Sequence, residues 1–291
     1  MRLLKQLDKY ADMDISIVKP YPKGTEGWRF NQESDKEGWY EGSTVDKLYG
    51  SKFLHEIYFK ADKDYKGKYS VPVLWDKKLE TIVNNESHEL LRDMSAAFNS
   101  LLPADIADIT MYPENLREDI DRIGDWMQRD LNTGVYKVGF APNQEAYDKN
   151  LPAVFASLNK LEKIAHQRGG PFILGSQMTE LDVRGYATLI RFDTVYVQHF
   201  KCNLGMIRYS YPILHNWLKY MYWAHKECKE TTDFRHIKDN YMKHMLDINP
   251  KGIVAKGPWP NVEEGYDLDW SKMQPGSIDM PEVLEYEKKL W

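Results

Sequence analysis

The chain reads as a mixed α/β half followed by an all-helical half, and three observations predict it. Val71-Pro72-Val73-Leu74-Trp75 and Ile82-Val83 are two short β-branched runs separated by a turn and followed by a helix opening at Glu86-Ser87. Such residues favour extended backbone. From Leu101-Leu102-Pro103 onward, apolar residues recur at helical spacing instead. Strand-bearing segments followed by a run of helices imply two domains, α/β and then all-α.

Taken in order, Leu3, Leu4 and Leu7 share one helical face within residues 2–10. Ile15-Ser16-Ile17-Val18 reads as a strand, stopped by Pro20 and Pro22. Residues 24–50 are loop-like, with Trp28, Trp39 and Tyr40 among Gly, Asp and Glu, and 53–59 hold a helical turn or two. Pro72 removes a ladder donor, so this end of its strand is an edge or a turn. A cis Val71-Pro72 bond would turn the Val71 amide and carbonyl outward. The helix predicted over 86–98 offers the free amides of its first turn to an anionic group. An exposed peptide edge beside a helix N-terminus suits a small acidic peptide.

In the second half, residues 115–128 form one amphipathic segment and 143–166 a longer one, with Leu151, Val154, Phe155, Leu158, Leu161 and Ile164 near helical spacing. Thr179-Glu180-Leu181-Asp182 has the form of a capping box, with Asp at its fourth place. Helices over 212–225 and 234–245 complete the bundle. Residues 263–291 read as an extended tail wrapping the surface or as a partly disordered one. The predicted boundaries are 1–100, 101–262 and 263–291.

Composition narrows the function classes. The 291 residues suffice for two modest domains with real cores. A net charge of −5 without a basic run argues against nucleic acid as a partner. No apolar stretch is long enough to span a bilayer, and the first residues do not have the form of a secretory signal. Two cysteines, Cys202 and Cys228, make no disulfide framework, so a reducing, cytoplasmic setting is expected. The 19 Tyr and 9 Trp fit either core packing or a wide site for flat aromatic ligands.

The hairpin, the Asn84-Asn85-Glu86-Ser87 turn and the capping box together resemble the glutathione transferases, with a thioredoxin-like N-terminal domain and an all-helical C-terminal domain. Ordered matches narrow the resemblance. They include Phe59-Lys60-Ala61-Asp62, Gly134-Val135-Tyr136-Lys137, His199-Phe200-Lys201-Cys202 and Ile248-Asn249-Pro250-Lys251-Gly252-Ile253-Val254. They are similar to the Xi class, the glutathionyl-hydroquinone reductases. The resemblance implies glutathione as co-substrate, no other cofactor, aromatic glutathione conjugates as ligands, and a homodimer. It assigns main-chain pairing with the cysteinyl part of glutathione to Val71 before Pro72, the γ-glutamyl end to Glu86 and Ser87, and a wall of the site to Trp28. It makes Tyr136 and Tyr241 the hydroxyls that hydrogen-bond the substrate.

In that class the nucleophile is a cysteine in Cys-Pro-Trp-Ala, stabilised as a thiolate at a helix N-terminus. No such motif occurs here. Counting back from Ile15-Val18 puts the family cysteine before Met1, so the resemblance implies a truncated chain without its first strand. Cys202 matches a family cysteine that is not the nucleophile. Three other readings stand beside the enzyme. One is a glutathione- or apolar-ligand-binding protein on the same fold. Another is a metal site at His199-x-x-Cys202 and His225-x-x-Cys228, though neither segment has the short Gly turns usual for zinc. The third is a pure interaction module, to which no sequence feature points.

Overall fold

The computed structural model describes residues 5–20, 27–35 and 38–290. The expectations on Leu3, Leu4, Pro22, Gly24 and Trp291 fall outside those residues. In chain order the regular elements are α1 (Leu7–Tyr10), α2 (Leu54–Ala61), β1 (Leu74–Asp76), β2 (Thr81–Asn84), α3 (Ser87–Ala96), α4 (Ala104–Ala107), α5 (Arg117–Trp126), α6 (Gly134–Gly139), α7 (Gln144–Arg168), α8 (Glu180–Arg191), α9 (Ile207–Ser210), α10 (Pro212–Ala224), α11 (Lys226–Glu230), α12 (Phe234–His244) and α13 (Pro281–Glu287). Two compact units form. One holds Met1–Thr110, Asp233–Leu246 and Lys251–Val254, and the other holds Met111–Thr232, Asp247–Pro250 and Ala255–Trp291.

The first unit is the α/β one. Strands β1 and β2 pair antiparallel, Leu74 with Asn84 and Trp75 with Ile82, so Val83 is bulged out between them. The Asp76 carboxylate accepts the amides of Lys78 and Leu79, closing the hairpin turn. Its core is Phe30, Leu54, Ile57 and Tyr58, with Val18, Trp28, Val73, Trp75 and Ile82 packed against it. Burying these apolar side chains supplies the unit's main stabilisation.

One predicted element is corrected here: Ile15-Val18 is not a strand. The Ile17 carbonyl accepts the Thr44 amide, the Ile17 amide donates to Thr44 Oγ1, and the Lys19 amide donates to the Arg29 carbonyl. The segment is extended, but its bonds go to a loop. A strand needs a neighbouring strand with which to form a ladder, and among the described residues β1 and β2 pair only with each other.

Helix α12 belongs to this first unit. Tyr40 Oη donates to Asp239 Oδ2 at 2.8 Å, and the Tyr40 and His236 rings meet edge to face at 5.6 Å. The loop that α12 covers is ordered by Asn31, whose side-chain amide donates to the carbonyls of Tyr40 and Ser43 and whose oxygen takes the Tyr40 amide.

The second unit is helical. Asn143 caps α7 by accepting the Ala146 amide at 2.9 Å. Gly169, at φ +77°, ends that helix in the left-handed conformation that lacks a Cβ penalty. Wide turns of π geometry, Met127–Asn132 and Phe192–Tyr196, continue α5 and α8. Leu151, Val154, Phe155, Leu158 and Leu161 of α7, Leu181, Leu189 and Ile190 of α8, and Trp217 and Met221 of α10 are all buried, the seat of the core. The expected extended tail is also corrected. It contains α13, which packs on α7 with Val283 fully buried and Trp270 1% exposed. Among the described residues no helix is long and apolar enough to cross a membrane.

Candidate functional site

Five of the predicted site residues, Trp28, Val71, Pro72, Glu86 and Ser87, fall in the first unit. The Val71-Pro72 peptide bond is cis. Val71 is 43% exposed, just before β1. The hairpin returns through β2 to Asn84, whose Oδ1 accepts the Glu86 amide at 2.8 Å. That bond makes a local side-chain turn and sets the start of α3. Asn84 Nδ2 also reaches Glu89 Oε2 at 3.0 Å and Asp93 Oδ2 at 3.2 Å.

Glu86 is the N-cap residue of α3, with extended backbone, and its side chain makes no capping bond. The first intrahelical bond runs from the Leu90 amide to the Glu86 carbonyl. The amides of Ser87, His88 and Glu89 precede it and point out of the helix end, where partial positive charge gathers. Glu86 and Ser87 are both exposed. A carboxylate seated there would take amide donors from the backbone and the Ser87 hydroxyl. The Glu86 carboxylate would take an ammonium group. Trp28 packs on the unit's core, and its carbonyl accepts the Leu54 amide.

Tyr241 also lies in the first unit, on α12, and is 6% exposed. Tyr136 lies in the second unit on α6 and is half-buried. Its hydroxyl stands 3.4 Å from that of Tyr196, and its ring meets Phe200 at 5.3 Å and Phe140 at 6.4 Å. The Phe140 ring is 52% exposed. These four rings form an aromatic cluster in which Tyr196 and Phe200 are buried.

Neither thiol has the environment of a nucleophile. Burial pushes Cys202 up to about 12 and Cys228 up to about 11, and a nucleophilic thiol needs the opposite shift. His199 and His225 each keep a buried Nε2 without a hydrogen-bond partner. His225 lies among the rings of Phe172 and Tyr220. Among the described residues no three of His, Cys, Asp and Glu gather as a metal site would require. Nothing in residue spacing marks Tyr58 as a neighbour of the turn before Glu86, yet its hydroxyl accepts from Asn85 Nδ2 at 3.1 Å.

Residues 144–219 match the family model described as Glutathione S-transferase, C-terminal domain. The chain is 48% identical over 241 residues to Glutathione S-transferase omega-like 2 of Schizosaccharomyces pombe, covering 82% of this chain and 75% of that one. The crystal structure of the glutathione-S-transferase Xi from Phanerochaete chrysosporium superposes with a TM-score of 0.85 at 42% identity, over 91% of this chain and 86% of that one. The chain belongs to the Xi class of the glutathione transferase family. It is also 41% identical over 269 residues to the glutathionyl-hydroquinone reductase YqjG of Escherichia coli, covering 92% of this chain and 77% of that one. The glutathione-bound structure of YqjG superposes with a TM-score of 0.82 at 40% identity, over 92% of this chain and 82% of that one. For this Xi-class chain, a glutathione-dependent activity of the transferase family follows.

Proposed function

We propose that the chain holds glutathione through Trp28, Val71, Pro72, Glu86 and Ser87, and that its parent reaction is the reduction of glutathionyl-hydroquinones, whose nucleophilic Cys-Pro-Trp-Ala cysteine does not occur in this sequence. The observation that carries the reading is the pairing, within one small unit, of the exposed Val71 peptide with the uncapped start of α3 at Glu86-Ser87. The first offers main-chain bonds to a cysteinyl group, and the second offers amides and a carboxylate to the two charges of a γ-glutamyl end. The likeness to the Escherichia coli reductase supports the choice of substrate.

In the reaction of this class a cysteine thiolate, for which neither Cys202 nor Cys228 is suited, attacks the thioether sulfur of the conjugate. The carbon–sulfur bond breaks, the ring carbon keeps the electron pair and takes a proton, and hydroquinone leaves. A mixed disulfide remains, which a second glutathione thiolate resolves to oxidised glutathione. Tyr136 and Tyr241 are proposed as hydroxyls that hydrogen-bond the substrate and assist the proton. Their part rests on the resemblance. A homodimer acting in the cytoplasm is proposed on the same ground.

A second reading is favoured by the two thiols, Cys202 buried and Cys228 half-buried. With Cys202 and Cys228 held as thiols, the chain would bind glutathione or its aromatic conjugates without turnover. Incubation with a glutathionyl-hydroquinone and excess glutathione, followed by chromatography, separates the two readings. Released hydroquinone with oxidised glutathione in equal amount supports the reductase. Bound conjugate without release, even at stoichiometric protein, supports the binding protein and overturns the reductase.

A further inference from the structure

We infer that Tyr58 and Asn85 are positioning residues that fix the Val71 peptide relative to Glu86, through a bridge that meets at Ser70. The inference rests on the glutathione reading of that site and adds to it the part that sets the spacing of its two ends.

The bridge is a small hydrogen-bond network, in which Tyr58 Oη and Ser70 Oγ also stand 3.4 Å apart. Tyr58 Oη donates its one proton to the Ser70 carbonyl at 2.8 Å. Asn85 Nδ2 donates to Tyr58 Oη at 3.1 Å and to Ser70 Oγ at 3.1 Å. The two hydrogens of one amide nitrogen and the single hydroxyl proton are thus all used, each with an acceptor. Three separate stretches meet there: helix α2, the segment before Pro72, and the turn before α3.

Each contact bears directly on one end of the site. The Ser70 carbonyl belongs to the same planar peptide unit as the Val71 amide, so pinning that oxygen also sets the direction of the Val71 N–H. Asn85 is bonded directly to Glu86, so holding its side chain sets where the Glu86 carboxylate and the first turn of α3 begin. One hydroxyl therefore couples the peptide that would pair with a cysteinyl group to the residue that would hold a γ-glutamyl end. A ligand that spans both gains from both only if their separation is fixed before it binds.

The hub itself is rigid. Tyr58 is 1% exposed, in the core with Phe30, Leu54 and Ile57. Its ring lies 4.8 Å from that of Tyr65 and 5.6 Å from that of Tyr69. A packed aromatic ring cannot follow a moving loop, so its hydroxyl is a fixed point against which Ser70 and Asn85 are held. Asn84 contributes the local half of the arrangement, since its Oδ1 takes the Glu86 amide, but that bond spans two residues and carries no information about Val71.

The test is glutathione affinity by calorimetry on the full chain, with melting temperature recorded beside it. The variants are Tyr58→Phe, Asn85→Ala and the double substitution, with Ile57→Val as a control that loosens the same core outside the bridge. Tyr58→Phe and Asn85→Ala each weaken binding by about five- to twentyfold, the scale of one or two lost hydrogen bonds at a preorganised site. The double variant binds no more weakly than the weaker single one, because both remove the same bridge. Ile57→Val lowers the melting temperature and leaves affinity within about twofold. Unchanged affinity in Tyr58→Phe, which keeps the ring and so the fold, overturns the inference. Equal weakening in Ile57→Val overturns it as well, since the effect is then one of stability alone. A parent chain that binds no glutathione overturns the functional reading itself, an outcome distinct from either.

Discussion

Trp217 Nε1 donates to Asp182 Oδ1 at 3.0 Å, and both side chains are fully buried. The same oxygen takes the Ile173 amide at 2.9 Å, while Oδ2 takes the Thr179 amide at 2.8 Å and the Thr179 hydroxyl at 3.1 Å. Burial pushes the Asp182 carboxyl up, and these four donors pull it back. The carboxylate thereby ties the start of α8 to α10 and to the segment before the capping box. Asp182→Ala strands four buried donors, so a loss of about 3 kcal/mol or more is expected, whereas Trp217→Phe removes one donor and costs about 1–2 kcal/mol. Urea unfolding of both variants checks this. A loss under about 1 kcal/mol for Asp182→Ala would count against the account.

Glu162 is the second buried carboxyl with a structural task. It is fully buried on α7 and accepts the amides of Ile213 and Leu214, which open α10, and of Gly276. Burial pushes its carboxyl up to about 7 against the pull of those amides. Its folded value thus lies above its unfolded one. The folded state binds more protons between the two, so this group's contribution is full below about 4.5 and is lost as pH rises through about 7. Relative to Glu162→Gln, the parent chain is expected to lose stability between pH 5 and pH 8, because the other titrations cancel in the difference. A difference in unfolding free energy that stays flat with pH would refute this.

The thiols carry a chemical prediction. With Cys202 near 12 and Cys228 near 11, less than about one thiol in a thousand is ionised at neutral pH, so alkylation of the folded chain is slow. Unfolding in denaturant restores ordinary reactivity. Iodoacetamide labelling followed by peptide mass spectrometry reads each site separately. Rapid labelling of Cys228 in the folded protein at pH 7.5 would remove the ground for excluding it as a nucleophile.

Several of these features were legible as sequence and others were not, for one physical reason. The capping box at Thr179 and Asp182 and the Asn143 cap of α7 are local, so residue type and spacing suffice to find them. The turn at Asn84-Glu86 is local as well. Whether Ile15-Val18 becomes a strand depends on the partner it meets, and its apolar alternation carries no record of that. The helix over α12 was readable from its period, but its company was not. That is set by Tyr40 and Asp239, 199 residues apart. The site follows the same rule: Val71, Pro72, Glu86 and Ser87 stand in one short stretch, and the Tyr58–Asn85 contact spans 27 residues.

The anchor assignment predicts that Glu86→Ala weakens glutathione binding by about 1–3 kcal/mol, the range for losing a charged hydrogen-bond partner. Glu86 is exposed and its side chain caps nothing, so the melting temperature should hold. A substitution that lowers affinity without lowering stability isolates ligand contact from fold. Calorimetric titration with glutathione is the measurement, and an unchanged affinity would reject the anchor.

The segment around α13 is held by side chains of α7, and this makes its docking a cooperative event. Asn159 Oδ1 accepts the Tyr211 hydroxyl at 3.0 Å and the Ile278 amide at 2.8 Å, and its Nδ2 donates to the Ile278 carbonyl at 3.1 Å. Lys163 pairs with Glu287 at 2.6 Å. Gly276 lies so close to the chain before α10 that a Cβ there would stand 2.0 Å from the Ser210 carbonyl oxygen. No side chain fits that approach, so Gly276→Ala must push residue 276 away and break its amide bond to Glu162. Because Ile278 follows two residues later, its pair of bonds to Asn159 is strained by the same shift, and α13 loses its lead into place. Gly276→Ala is therefore expected to cost about 2 kcal/mol or more and to speed amide hydrogen exchange at Ile278 and through Pro281–Glu287. The exchange of α8 should stay unchanged, since its capping box draws nothing from this segment. Equal exchange at Ile278 in variant and parent would show that the close approach at Gly276 does not hold the segment, and that the Asn159 and Lys163 contacts suffice alone.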